Sequence, residues 1–228
     1  YGYDFGKNVR RYFDSDAHAS TIRHKINRID MPFVRMGTSG DPSEDWAHTL
    51  YVLSKLYGVN KQIVIITKHW HNLTDTQLQT LSNYNVCINT SVSALDYSDT
   101  LENALEQYER IKPYCKSVLR VVSCEFNLEN NEAKKLNDIQ EKLISVEGYI
   151  DTVLRISKSN ELVSGDLVKI NDLKFLGKKI TASKRNKATY FGKCASCKEM
   201  CGLNTGDDIK HKFKPKPKQY ELIRTASM

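Results

Sequence analysis

An α/β domain built as a partial (βα)n barrel of parallel strands is what this 228-residue sequence predicts. Three observations carry that reading. Five short β-like runs follow one another, segments with helical periodicity occupy every gap, and no hairpin dipeptide joins any two runs. The stretch 62–96, QIVIITKHWHNLTDTQLQTLSNYNVCINTSVSALD, shows the repeating unit. Its apolar run Ile63 to Ile66 breaks at Thr67, Lys68 and His69; a helix follows with Thr74 as N-cap and Leu73, Leu78 and Leu81 on its apolar face. A second run, Val86 to Val92, ends among Ser91, Ser93 and Asp96. That is the length one parallel crossover needs. Parallel α/β sheets bind ligands at the carboxyl ends of their strands, so the polar groups gathered there mark where a ligand would sit.

The remaining elements fall in order around this unit. Asp14 or Ser15 caps a helix through Ala17 to Ile29, with Ile22, Ile26 and Ile29 at helical spacing. The cations Arg10, Arg11, Arg23, His24, Lys25 and Arg28 are either an anion site or a solvated helix face. Met31 to Met36 is a short strand. The GTSGDPSED that follows is a tight turn able to aim backbone N–H groups at a ligand. It is neither a Walker loop nor a three-glycine dinucleotide fingerprint. Ser43 or Asp45 caps the next helix, through Trp46, Leu50, Leu53 and Leu56 to Gly58. Beyond the central unit, Leu101 to Ile111 is a helix, Ser117 to Cys124 a strand, Glu129 to Val146 a helix and Tyr149 to Ile156 the fifth strand.

From Ser157 the pattern changes. LVSGDLVKINDLKFL reads as hairpin or loop, and KKITASKRNKATYFGK is basic with Tyr190 and Phe191. The final KHKFKPKPKQYELIRTASM alternates Lys with Pro and reads as extended. The expected division is a barrel over 1–156, a basic subdomain with a cysteine-containing metal knuckle over 157–206, and a Lys/Pro tail over 207–228. Of the net charge of +7, residues 151–228 hold 17 Lys and Arg against 8 Asp and Glu, so the basicity belongs to the C-terminal third. It suits an anionic partner, a nucleic acid among them, or a solvated tail.

Six cysteines are present. Cys87, Cys115 and Cys124 lie in or beside strands and read as buried free thiols. Cys194, Cys197 and Cys201, spaced C-x2-C-x3-C, can converge on one metal centre, zinc or an iron–sulfur cluster, and Lys193 and Lys198 favour the thiolates. A fourth ligand is not evident. His211 lies in the tail; the alternatives are another part of the chain or an open site. This distribution fits a reducing cytoplasm better than a secreted disulfide framework. With no run of eighteen apolar residues and no signal peptide, a soluble protein without a membrane partner is expected. The first residue is Tyr1 rather than methionine, which reads as processing or a fragment.

The succession of a strand, a GTSGDP turn and strands ending in ITK, NTSVSALD and RVVSCEFN resembles the partial βα-barrel of the radical S-adenosylmethionine superfamily. The likeness spans Pro32 to Ile156 and is nearest to the photoproduct-lyase-like and phage-encoded branches. It implies that Ser39, Gly40 and Asp41 meet the amino group of S-adenosylmethionine, and that Thr67, Lys68, Ser91 and Ser93 approach its carboxylate or ribose. Arg120, Glu125 and Arg155 would make the remaining polar contacts. The family's defining C-x3-C-x2-C loop, which holds its four-iron cluster, is absent from this chain; Tyr1-Gly-Tyr3 stands in its place. On this resemblance Tyr1 follows a cysteine motif in the parent protein, and the C-terminal cysteines hold an auxiliary centre.

The expected function is therefore a radical-S-adenosylmethionine-like enzyme, or a degenerate relative, acting on an anionic substrate. A nucleic-acid-binding module with a zinc knuckle is the alternative, with Tyr190 and Phe191 beside Lys184, Arg185 and Lys187 for stacking. A third reading is hydrolysis by His69, His71 and Asp41 or Asp96.

Overall fold

The computed structural model describes residues 15–37, 40–156, 159–170, 174–175, 178–179 and 200–203. Five parallel strands form one curled sheet, a half-barrel, in the order of the chain: β1 (Phe33–Met36), β2 (Gln62–Thr67), β3 (Val86–Val92), β4 (Lys116–Ser123) and β5 (Ile150–Val153). Each strand pairs only with its sequence neighbours, because a helix returns the chain to the same edge every time. These helices are α2 (Trp46–Lys55), α3 (Asp75–Leu81), α4 (Ser98–Ile111) and α5 (Asn131–Ile144), preceded by α1 (Asp16–Asn27).

The caps show why the helices begin where they do. Ser15 accepts from the amide of His18, Asp45 from that of His48, and Asn130 from those of Glu132 and Ala133. Thr74 and Gln77 form a reciprocal capping box. The helix expected to end near Gly58 ends at Lys55, with Arg23 of α1 donating to the carbonyl of Lys55 at 2.7 Å.

Alternation along the strands splits the sheet into two faces. Ile63, Ile65, Val86 and Ile88 face the helix layer with Leu53, Leu73, Leu78 and Leu81. Val92, Leu119 and Val121 continue that layer against Tyr108, Leu143 and Ile144. The other face is the inside of the curl: Phe33, Val64, Cys87, Val118 and Ile150 share it, with Ile66, Cys201 and Leu203 packed on top. β3 is buried at every residue, as a central strand covered on both faces must be.

After β5 the chain forms a short helix, α6 (Glu161–Ser164), and crosses the end of β4, where Val168 bridges to Phe126. A two-stranded antiparallel pair follows: β6 (Lys174–Phe175) lies within the segment expected to be hairpin or loop, and β7 (Lys178–Lys179) opens the basic stretch after it. The knuckle cysteines Cys194 and Cys197, the aromatics Tyr190 and Phe191 and the Lys/Pro tail lie outside the described residues. No helix among the described residues is long and apolar enough to cross a membrane.

Candidate functional site at the carboxyl ends of the strands

The turn after β1 is closed by Asp41. Its Oδ1 accepts from the amide and the hydroxyl of Ser43 at 2.9 and 2.8 Å and from the hydroxyl of Thr67 at 2.6 Å; its Oδ2 accepts from the amide of Lys68 at 2.6 Å. One carboxylate thus fastens the β1 turn to the end of β2. Gly37 is needed for the same approach. Its φ is +86°, and a Cβ there would stand 2.4 Å from the carbonyl oxygen of Ile66.

From Lys68 the network passes to the next loop. The Lys68 ammonium donates to both oxygens of Asp96 at 2.6 and 2.7 Å, and Asp96 Oδ2 accepts from the amide of Ser93 at 2.8 Å. The Ser93 hydroxyl donates to the carbonyl of Val122, reaching β4. The loops after β1, β2 and β3 are therefore joined by consecutive hydrogen bonds, several of them charge-assisted.

His69 sits behind this rim in the left-handed region, with φ +56°. Its ring is buried, lies 6.0 Å from the Trp46 ring and shares a hydrogen bond with Thr90 at 3.0 Å, while its Nδ1 has no partner. Burial pulls its pKa down to about 4, opposed by the charge of Asp41. The left-handed backbone at His69 means that His69 and His71 do not share an extended segment. His71 is exposed and faces Glu44 at 3.9 Å, whereas His69 is enclosed. The hydrolytic pairing of these histidines is accordingly corrected.

The inner face carries a different set. Register places Ser91 opposite Arg120 and Arg120 opposite Ile150, and Arg120 donates to Thr152 at 3.2 Å. Arg35, near the end of β1, shares this face with Val64 and is exposed. Sequence reasoning missed Arg35, although its place between Phe33 and Val34 on one side and Met36 on the other was a usable alternation signal. Asn89 on β3 is wholly buried; its amide N–H donates to the carbonyl of Cys201 at 3.1 Å and approaches the sulfur of Cys87 at 3.5 Å, leaving its Oδ1 without a partner. Burial pushes the Cys87 thiol up to about 12; nearby Lys116 and Asn89 work against that shift, and Cys201 adds to it.

The candidates from sequence thus divide. Thr67 and Ser93 are buried and committed to the rim network; Asp41, Lys68 and Asp96 hold it together. Gly40 is exposed beside Asp41, and Ser39 lies outside the described residues. Ser91 and Arg120 are brought together on the inner face. Glu125 is half-buried beyond β4, with its carbonyl accepting from the amide of Lys169 at 2.8 Å, and Arg155 is exposed two residues past β5. Among the described residues no group of three or more His, Cys, Asp or Glu side chains could hold a metal; Cys201 is the described member of the cysteine set.

No protein-family model matches the chain, and no curated protein or solved structure matches it either.

Proposed function

We propose that the chain is a radical-S-adenosylmethionine-type enzyme, or a degenerate relative, that binds S-adenosylmethionine over the carboxyl half of its inner face. The observation that carries this reading is the pairing of Ser91 with Arg120 across adjacent strands, with Arg35 on the same face, beneath a rim fastened by Asp41 and Lys68. The residues suit the ligand. A guanidinium group can take a carboxylate bidentately, a serine hydroxyl can meet it or the ribose, and the exposed Gly40 leaves backbone accessible to an amino group.

Asp41 has one lone pair of Oδ2 left after its four hydrogen bonds, so its part is chiefly to position that turn. When bound and reduced through an iron–sulfur centre, S-adenosylmethionine would supply one-electron bond cleavage; the protein supplies orientation and exclusion of water. The substrate would enter over the same face, an anionic one assisted by the basic C-terminal third.

The test is calorimetric titration of S-adenosylmethionine into wild type, Arg120→Ala and Arg35→Ala. Loss of a charge-assisted contact should weaken binding by about tenfold or more. Wild-type protein that binds no S-adenosylmethionine would overturn the reading. In that event the alternative, a nucleic-acid-binding module, gains weight if an oligonucleotide binds with a steep salt dependence, as 17 Lys and Arg against 8 Asp and Glu in residues 151–228 would produce.

A further inference from the structure

The charged residues of the five parallel strands are Arg35, Lys116, Arg120 and Asp151, and the sheet sorts them by sign. Phe33 and Val118 belong to the inner cluster. Side chains alternate along a strand, so Arg35, Lys116 and Arg120, each two positions from one of these, share the inner face. Lys116 accordingly donates at 2.9 Å to the carbonyl of Leu203, which packs on that cluster. Asp151 has the opposite parity, next to the inward Ile150, and accepts from the hydroxyl of Ser123 at 2.6 Å on the helix-layer side.

We propose that the substrate received by the inner face is a small phosphomonoester that also carries hydroxyl groups. The inference rests on the reading of that face as the ligand site, and adds the chemical class of what is bound beside S-adenosylmethionine.

S-adenosylmethionine brings one carboxylate, for which a single guanidinium, that of Arg120, suffices. Its sulfonium and ammonium only add positive charge to the face. Arg35 and Lys116 remain, and a phosphomonoester concentrates about two negative charges on one group. Register runs from Arg35 through Val64 and Cys87 to Lys116, so the two cations flank one level of the concave curl. Arg35 is exposed, and the Lys116 ammonium keeps donors beyond the one given to Leu203. A phosphate between them is met by charge-assisted bonds from both sides.

Asn89 supplies the other half of the recognition. It lies on the same face, wholly buried, with its Nδ2 directed to the Cys201 carbonyl and the Cys87 sulfur and its Oδ1 unpartnered. A sealed acceptor requires a donor. A phosphate dianion has none; a hydroxyl on the same molecule does.

The surroundings favour a small molecule over a nucleic-acid strand. Exposed Glu44 and Asp45 after β1, Asp99 after β3 and Glu129 after β4 stand on the rim, and Lys68 there is already paired with Asp96. A phosphodiester chain running across the rim would meet those carboxylates, whereas a compact ester passes within them.

The test is calorimetric titration of the full chain with inorganic phosphate, ribose 5-phosphate, ribose and a single-stranded oligonucleotide. Ribose 5-phosphate should bind more tightly than phosphate by about fivefold, the worth of one hydrogen bond to Asn89, and ribose should not bind measurably. Lys116→Met should weaken ribose 5-phosphate by about tenfold or more, with Lys116→Arg restoring it and S-adenosylmethionine binding unchanged in both. Should Lys116→Met fail to fold, Arg35→Ala, at an exposed position, carries the same expectation for ribose 5-phosphate.

A wild type that binds S-adenosylmethionine but not ribose 5-phosphate would overturn the proposal and leave the cofactor reading standing; the converse would end that reading and support the proposal. Equal ribose 5-phosphate affinity in wild type and Lys116→Met would show an adventitious ion only. An oligonucleotide that displaces ribose 5-phosphate and loses affinity in Lys116→Met would assign the face to a phosphodiester chain instead.

Discussion

Acid should destabilise this fold through His69 well before the surface carboxylates are protonated. The imidazole is buried between Trp46 and Thr90 with Nδ1 unpartnered, and burial lowers its pKa from 6.5 to about 4. In the unfolded chain the ring takes its proton near pH 6.5; in the fold it resists until about pH 4. Between those values the unfolded state binds more protons, so stability declines as the pH declines. At about 1.4 kcal/mol per pKa unit, the loss attributable to His69 reaches about 2 kcal/mol by pH 5 and about 3 kcal/mol by pH 4, and it levels off below. Urea unfolding of wild type and His69→Asn at pH 7, 6, 5 and 4 measures it, asparagine being chosen because it tolerates the left-handed backbone at this position. The variant should be less stable at pH 7, having lost the ring, but the gap between the two proteins should narrow by about 2 to 3 kcal/mol on going to pH 4. A gap that stays constant across that range would refute the argument that a neutral, enclosed imidazole governs the acid limb.

Three further outcomes are expected. Asp41→Ala strands the amides of Ser43 and Lys68 and the hydroxyls of Ser43 and Thr67, and should lower unfolding free energy by about 3 kcal/mol in urea titrations. Gly37→Ala meets both a left-handed backbone and the Ile66 carbonyl at 2.4 Å, whereas Gly58→Ala meets only the backbone penalty, with nothing within 4 Å. Thermal melts should therefore show Gly58→Ala costing about 1 kcal/mol and Gly37→Ala at least twice that. A double-mutant cycle on Lys68→Met and Asp96→Asn should return a coupling of about 1 to 2 kcal/mol, since both groups are largely withdrawn from solvent and hydrogen-bonded; additive effects would show that the pair is ornamental.

Much of the scaffold could be read from local pattern. Leu73, Leu78 and Leu81 bury where a 3.6-residue period puts them, and Thr74, Asp45 and Ser15 cap as short polar residues before such periods do. The parallel sense of the sheet followed from the helical gaps, because parallel neighbours need crossovers. The site was less legible. Hydroxyls at strand ends look alike in sequence, yet Thr67 is consumed by Asp41, 26 positions away, while Ser91 lies on the opposite face. Nothing local distinguishes them beyond parity along the strand. The left-handed turn at His69 has no glycine to announce it. The contact between Asn89 and Cys201 spans 112 positions, a separation at which periodicity carries no information.

The relay from Asp41 through Lys68 and Asp96 to Ser93 has a thermodynamic consequence. Loops that must be ordered by a ligand subtract that ordering from its affinity. Here three successive loops are already immobilised against one another by charged groups whose removal from water the fold has met in advance. A small molecule settling on any one of them would encounter a single stiff collar, and a displacement imposed after β1 would be felt after β3.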